Sequence, residues 1–429
     1  MMLFESWQRV LARNGDAVAW RDALTGEQRT FHDLQTQLGS LPGLPPRMLH
    51  AVSVKKGVLN FLTQTLRAWR DDAVLCPVER EETRVPDVAS LPPDIAHLKI
   101  TSGSTGEPRC VMFRGDQLAA DAQNIRATMK LDASQPNLAI ISVAHSYGFS
   151  NLVLPLLLQG HPMVSVPDAL PASLRMAFEH HREHQPGFTL PAVPAMWRAW
   201  WQAGLLKGAP ISLAISAGAP LPLEVERGVF EQCSLKIHNF YGSSECGGIA
   251  YDRSGAPRED ASLAGTAMDG VKLSLNDENG CLMVEGPNVG AGYWPGADAS
   301  LANGRFITSD LVELRDSTVL MRGRASDAIN IAGRKLNPAD VEAALLACEG
   351  VKHCVVFGIP SADTARCEEA VACINAAAGV TEQAVLEAAA RCLATWQLPR
   401  RLWFNNDLEP NARGKFSRAE WRAKWIKAQ

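Results

Sequence analysis

Apolar positions along this chain recur with two alternating periods. Trp7 to Leu11 has helical spacing, Ala17 to Trp20 reads as a short strand, and Thr30-Phe31-His32-Asp33-Leu34 starts a helix with Thr30 at the N-cap. Val58 to Trp69 is predicted as an amphipathic helix, and Ala73 to Pro77 as a buried strand stopped by proline. A loop rich in proline and charge follows from 79 to 93. Leu98 and Ile100 then lead a strand into Thr101-Ser102-Gly103-Ser104-Thr105-Gly106. Further on, Gly115 to Met129 reads as a helix and Leu138 to Val143 as a strand covered on both faces. A helix near 149–159 and a strand from Met163 to Val166 repeat the unit. So do Pro171 to His181, Gly187 to Leu190, Ala195 to Gly204 and Ile211 to Ser216. Such alternation predicts an α/β fold of parallel βαβ units, in which ligands gather beyond the carboxyl ends of the strands.

From about residue 260 the texture changes. Val271 to Leu275, Cys281 to Glu285 and Thr318 to Arg322 are short strands separated by turns such as Asp277-Glu278-Asn279-Gly280, which suggests hairpins or a small distorted barrel. A second change comes at Gly323-Arg324-Ala325-Ser326. Beyond it lies a compact α+β unit that opens on a helix from Pro338 to Cys348, with Asn337 at the N-cap and Pro338 at the first helical position. Strands at 355–358 and 370–374, a helix at 382–396 and a strand at 402–404 complete it. The expected division is a large N-terminal domain, 1–323, and a small mobile C-terminal domain, 324–429.

Composition narrows the function only by exclusion. Over 429 residues, 46% are apolar and 21% charged, ordinary for a globular enzyme. A formal net charge of -4 gives no reason to expect a nucleic-acid partner. Ten cysteines occur singly, with no Cys-x-x-Cys, which argues against a zinc site and a disulfide framework and favours a reducing cytoplasm. The first fifteen residues lack the order of a signal peptide, and the apolar run Leu152 to Leu158 contains Pro155 and is too short to span a bilayer. No membrane insertion is expected.

Five stretches carry candidate chemistry. The first, Thr101 to Arg109, consists of hydroxyls and glycines from Thr101 to Gly106 and suits a polyphosphate, because its N–H and O–H groups can converge on an anion. It is neither the Walker nor the dinucleotide pattern, and taken alone it is equally a surface turn. The second, Asn239-Phe240-Tyr241-Gly242-Ser243-Ser244-Glu245-Cys246-Gly247-Gly248, sets a flat aromatic, hydroxyls and a carboxylate between glycine turns. Tyrosine can stack on a base, serine can meet a phosphate oxygen, and glutamate can hold Mg²⁺. The third, Phe306 to Leu311, carries Asp310 at a strand end, suited to sugar hydroxyls; the fourth runs from Gly323 to Pro338; the fifth, Leu408 to Arg418, leaves Lys415 on a glycine turn. Singly, Tyr241 could be a core aromatic, Asp310 a turn residue, and Arg324 and Lys415 surface cations.

Together and in this order the five resemble the adenylate-forming superfamily of acyl- and aryl-CoA synthetases, adenylation domains and luciferases, over most of the chain from about Thr30 to Lys415. The resemblance implies that Thr101, Ser102, Gly103, Ser104, Thr105, Gly106 and Arg109 wrap the β- and γ-phosphates of ATP, with Arg109 where lysine is usual. It implies that Ser216, Ala217, Gly218 and Ala219 run along the adenine and the acyl pocket, and that Tyr241 and Gly242 lie against the base. Ser244 would contact the α-phosphate, Glu245 would hold Mg²⁺, Asp310 and Arg324 would bind the ribose, and Lys415 would join carboxylate to α-phosphate. Ser326 falls at the usual hinge position, where an acidic residue or lysine is common, and Gly333 flanks the thiol tunnel.

His145 falls at the acyl pocket, where a structural histidine is the equal alternative; Trp197, Trp200 and Trp201 could line that pocket or one face of a core helix. The implied reaction makes an acyl-adenylate and pyrophosphate from an aryl or acyl acid, then passes the acyl group to CoA or to the phosphopantetheine of an acyl carrier protein. No acidic residue lies in 144–149 to meet an α-amine, so an amino acid is not expected as substrate. The stretch before Thr101 is short for the family, which favours a carrier-protein acceptor. Adenylate transfer to an amine and a non-catalytic nucleotide-binding relative stay open.

Overall fold

The computed structural model describes residues 2–428 except 81, 82, 84, 86–90, 102–108, 182–186, 333, 362–367 and 411–415, and not the side chains of Ser326 and Lys335. Ser102, Gly103, Ser104, Thr105, Gly106, Gly333 and Lys415 therefore lie outside the described residues. The chain divides into two compact units, one of 1–274, 283–307 and 316–319, the other of 275–282, 308–315 and 320–429.

In the first unit, five parallel pairings join the strands Val18–Asp22, Met163–Ser165, Asn137–Ala139, Phe188–Ala192, Ile211–Ser216 and Ile237–Ser243, in that spatial order. Beyond Ile237–Ser243 the pairing turns antiparallel, to Gly247–Tyr251 and then Leu263–Ala267. The helices that link the parallel strands cover the sheet: Trp197 and Trp200, fully buried, meet edge to face at 5.2 Å in a core with Phe188, Leu190, Leu174 and Val225. Their spacing is thus that of a core helix face. The third tryptophan, Trp201, gives its indole N–H to Gln232 at 3.0 Å.

A second sheet in this unit runs Gly292–Trp294, Arg109–Arg114, Ile95–Thr101, Val74–Val78, Leu49–Ser53. Its last three strands are parallel, whereas Arg109–Arg114 is antiparallel to both neighbours. Thr30 caps the helix Phe31–Gly39 as predicted, within a capping box that Asp33 completes.

Two predicted elements end differently. The apolar run 138–143 is a strand only at Asn137–Ala139, because the chain then folds against Gly148, where a Cβ would lie 2.1 Å from the Ser142 carbonyl oxygen. The helix near 149–159 is π-type, Phe149–Val153 and Pro155–Gln159, with Pro155 lacking the N–H an α-helical ladder needs there.

In the second unit, Val351–Pro360 and Glu368–Ala376 pair antiparallel, and Arg401–Phe404 adds in parallel to the latter. The helix Pro338–Leu346 starts on the Asn337 cap, whose side chain accepts from the Ala339 N–H at 3.1 Å. The predicted helix at 382–396 stops at Ala390 and gives way to a single turn at Thr395–Gln397. The strands Ile329–Ile331 and Arg334–Leu336 pair antiparallel.

Candidate functional site

Parallel strands deliver the candidate residues of the first unit to their carboxyl edge. Ser216 is the last residue of Ile211–Ser216, and Ala217, Gly218 and Ala219 continue from it; Gly218 takes φ +85°, a conformation that favours glycine. Ser216 pairs in register with Ala192 on one side and Asn239 on the other, so its position is fixed by two neighbouring strands. Its hydroxyl is fully buried and has no partner among the described residues. Tyr241 lies two residues before the end of the next strand, half-buried, with Gly242 exposed beside it.

Immediately past that strand end, the Ser244 hydroxyl meets the Ser146 hydroxyl at 3.0 Å, and the Glu245 N–H donates to Ser243 Oγ at 3.2 Å. His145, exposed, caps the short turn Ser146–Gly148 by accepting from the Tyr147 N–H at 3.2 Å. The structure thus brings the His145 turn and the Ser244 turn together.

A buried polar layer supports this turn. Asp121, 1% exposed, accepts from the Ser150 hydroxyl at 2.6 Å and from the Gly248 N–H at 3.2 Å. Gly247 has φ +67°, and a Cβ there would lie 2.1 Å from the Asp121 carboxylate, which gives the Gly247-Gly248 pair its physical reason. Lys99, also buried, reaches within 3.5 Å of Ser150 Oγ. Burial holds its ammonium below the ordinary value, opposed by Asp121, Cys246 and Glu245. His97, two residues earlier, is fully buried against Phe149, and burial keeps its imidazole well below the usual range and therefore neutral.

In the second sheet, Thr101 ends one strand and Arg109 begins its antiparallel neighbour; the two are register partners, and the Thr101 hydroxyl donates to the Arg109 carbonyl at 3.1 Å. Arg109 pairs with Asp298 at 3.0 Å, and its guanidinium carbon lies 3.7 Å from the centre of the Tyr293 ring. The Tyr293 phenol in turn donates to Glu245 Oε1 at 3.1 Å. Burial first, and then the Glu245 carboxylate, push this phenol up, so it stays a donor. Tyr293, Asp298, Asp121 and Lys99 carry no motif of their own. The one hint is Gly292-Tyr293-Trp294, a strand-like triplet after a glycine pair.

In the second unit, Asp310 and Arg324 come together: Arg324 Nε donates to Asp310 Oδ1 at 3.0 Å, with the carboxylate side chain 12% exposed and the arginine 59%. The Thr308 hydroxyl accepts from the Asp310 N–H at 3.0 Å, and Asp310 stands in the middle of the strand Arg305–Arg315 rather than at the strand end expected from the sequence. Sequence reading missed a further grouping here. Arg418, three residues after Lys415, donates to Asp327, to Glu342 and to the Val356 carbonyl at 2.6, 2.6 and 3.0 Å, tying that segment to the residue after Ser326.

Known proteins resemble this chain over most of its length. The family model for AMP-binding enzymes matches residues 12–294, and that for the AMP-binding enzyme C-terminal domain matches 340–415. A feruloyl-CoA synthase from an Amycolatopsis species is 26% identical over 364 residues, covering 79% of this chain and 72% of that one. Benzoate–CoA ligase of Thauera aromatica is 26% identical over 356 residues, covering 77% and 66%. Among solved structures, ATP-bound MatB from Rhodopseudomonas palustris superposes with a TM-score of 0.84 at 19% identity, covering 99% of both chains, a likeness of fold.

Proposed function

We propose a division of labour among named residues for a chain that belongs to the AMP-binding enzyme family and is an ATP-dependent, AMP-forming acid–thiol ligase. It activates a carboxylic acid as the acyl-adenylate with release of pyrophosphate and passes the acyl group to CoA. In our reading the acid is an aryl or acyl carboxylate without a free α-amine, since His145 and its neighbours 144–149 offer no carboxylate to such an amine. The same thioester chemistry extends to an acyl carrier protein's phosphopantetheine.

The observation that carries the assignment is the convergence at one carboxyl edge of Ser216 to Ala219, Tyr241, Ser244 and Glu245 on adjoining parallel strands. Tyr241, Gly242, Gly218 and Ala219 frame the adenine, Ser216 and Ala217 border the acyl pocket with His145, and Ser244 donates to the α-phosphate. Thr101 through Gly106 hold the β,γ-phosphates, the leaving group. Asp310 and Arg324 bind the ribose hydroxyls, the carboxylate accepting and the half-exposed guanidinium donating.

Glu245 fits a divalent cation. One of its oxygens is given to a phenol, and it forms no ion pair among the described residues. Among those residues no group of three or more His, Cys, Asp or Glu could hold a metal, so oxygens from the nucleotide would complete the shell, as Mg²⁺ usually arranges. Bound there, Mg²⁺ would neutralise charge on the phosphates. Lys415 brings two anions together by bonding both the substrate carboxylate and the α-phosphate. The C-terminal domain, 324–429, then turns about Ser326 on the core, 1–323, withdrawing Lys415 and presenting Gly333 to the thiol. Free thiols at the nine described cysteines suit a reducing cytoplasm, and among the described residues no helix is long and apolar enough to cross a membrane.

Pyrophosphate exchange across a panel of aromatic and aliphatic acids tests the reading. We expect acid-dependent exchange; its absence with every acid would leave a nucleotide binder without adenylation chemistry. The Lys415→Ala variant should lose adenylation by roughly two or more orders of magnitude yet still make thioester from supplied acyl-adenylate. Equal loss of both half-reactions would remove Lys415 from its role.

A further inference from the structure

The basic residue that closes the phosphate loop is an arginine, and its surroundings explain the choice. A planar guanidinium can lie flat on a ring while donating from its edge, a geometry that a point-like ammonium does not reproduce. Arg109 does both here: it lies 3.7 Å from the Tyr293 ring centre and donates to Asp298 at 3.0 Å. The ring it covers is 9% exposed and points its hydroxyl at Glu245 Oε1, 3.1 Å away. Main chain repeats the linkage. Tyr293 and Trp294 pair with Val111 and Cys110 of the strand that Arg109 begins, and the Gly290 N–H donates to the Glu245 carbonyl at 2.8 Å. The segment 290–294 thus grips Glu245 by backbone and by side chain, and Arg109 holds that segment's ring in place.

We propose that Tyr293 is a positioning residue for the Glu245 carboxylate, and that Arg109 acts through Tyr293 rather than on the phosphates. By fixing Oε1, the phenol leaves the second carboxylate oxygen in one orientation for the divalent cation that accompanies ATP. A hydrogen-bond donor of this kind, one step removed from a metal ligand, is commonly worth 10–100-fold in metal affinity. Asp298 completes the chain by aligning the guanidinium over the ring. The inference rests on the metal role proposed for Glu245.

The test is ATP binding to the full-length protein by titration calorimetry, in Mg²⁺ and in EDTA. Tyr293→Phe keeps the ring beneath Arg109 and removes only the hydroxyl. We expect it to weaken ATP binding about tenfold in Mg²⁺ and not at all in EDTA. Arg109→Lys should weaken Mg²⁺-dependent binding about threefold, and the double variant should be no weaker than Tyr293→Phe alone, because both act on one oxygen. Unchanged binding by Tyr293→Phe in Mg²⁺, or an equal loss in EDTA, overturns the role of Tyr293. A loss in Arg109→Lys that persists in EDTA or adds fully to that of Tyr293→Phe places Arg109 on the phosphates instead. If the wild-type protein binds no ATP in either buffer, the functional reading itself falls, an outcome distinct from all the others.

Discussion

Glu226 and Asp310 each meet a guanidinium, and the two pairs are built in opposite ways. Glu226 is fully buried; it takes the Arg258 Nε–H at 2.8 Å and the Lys236 ammonium, and Lys236 also reaches Asp252 at 2.6 Å. Arg258, 1% exposed along its side chain, donates from its two terminal nitrogens to the Leu263 and Leu221 carbonyls. This grouping satisfies itself and offers a ligand nothing. In the Asp310 pair the arginine side chain stays 59% exposed, open to solvent and to a ligand. The contrast teaches that a charged pair's function follows from how open it is to a ligand, since exposed pairs contribute little to stability and buried ones contribute strongly only while complete.

The largest effect should come from breaking the closed grouping. Glu226→Ala would strand the buried Arg258 guanidinium and leave Lys236 with Asp252 alone, a loss of about 3–5 kcal/mol. Urea unfolding of the variant should show a lower midpoint at unchanged slope. A shift below about 1 kcal/mol would mean that water reaches the site and that Glu226 is not the scaffold described here.

Asp310→Ala should do the reverse. Its partner is largely solvated, so the unfolding midpoint should hardly move. ATP affinity, however, should fall by roughly 10- to 100-fold for the lost charged acceptor. Calorimetric titration with ATP and with its 2′,3′-dideoxy analogue separates the cases. If wild type and variant bind the analogue equally while ATP discriminates them, the carboxylate serves the ribose. Equal weakening toward both compounds would assign Asp310 to shaping the protein alone.

What was legible beforehand divides along the same line. The residues proposed to meet a ligand sit in short motifs, because glycines, hydroxyls and charges must converge within a few residues; Tyr241 to Glu245 and Asp310 are proposed on that pattern. Local backbone chemistry was readable too, as at the caps Thr30 and Asn337, where donor and acceptor lie two or three residues apart. The supporting layer was not. Tyr293 reaches Arg109 through strand pairing across about 180 residues and Glu245 across 48, and Asp121 meets Gly248 across 127. Apolar runs also mislead about length, since 138–143 is equally apolar inside and beyond its three-residue strand. What ends the strand is a close approach by Gly148, which no periodicity records.

The smallest effect concerns pH and sharpens the account of the closed grouping. Burial alone would raise the Asp252 carboxyl, but the Lys236 ammonium and the Ser254 hydroxyl and N–H outweigh it and hold the carboxyl below its ordinary value. A depressed carboxyl contributes stability that is fully present above its unfolded value, near 3.9, and drains away as pH falls through the lower folded one. The wild-type protein should therefore lose part of its stability below about pH 4 as Asp252 takes up a proton. Asp252→Asn keeps the size and an acceptor for Ser254 while removing the charge. It should cost on the order of 1 kcal/mol near neutrality and show a flatter acid limb, so that the two proteins converge at low pH. Urea midpoints measured from pH 7 down to pH 3 report this directly. Parallel limbs for the two proteins would mean that Asp252 keeps its charge to the lowest pH tested, or that it never had it, in which case Lys236 is neutralised by Glu226 alone.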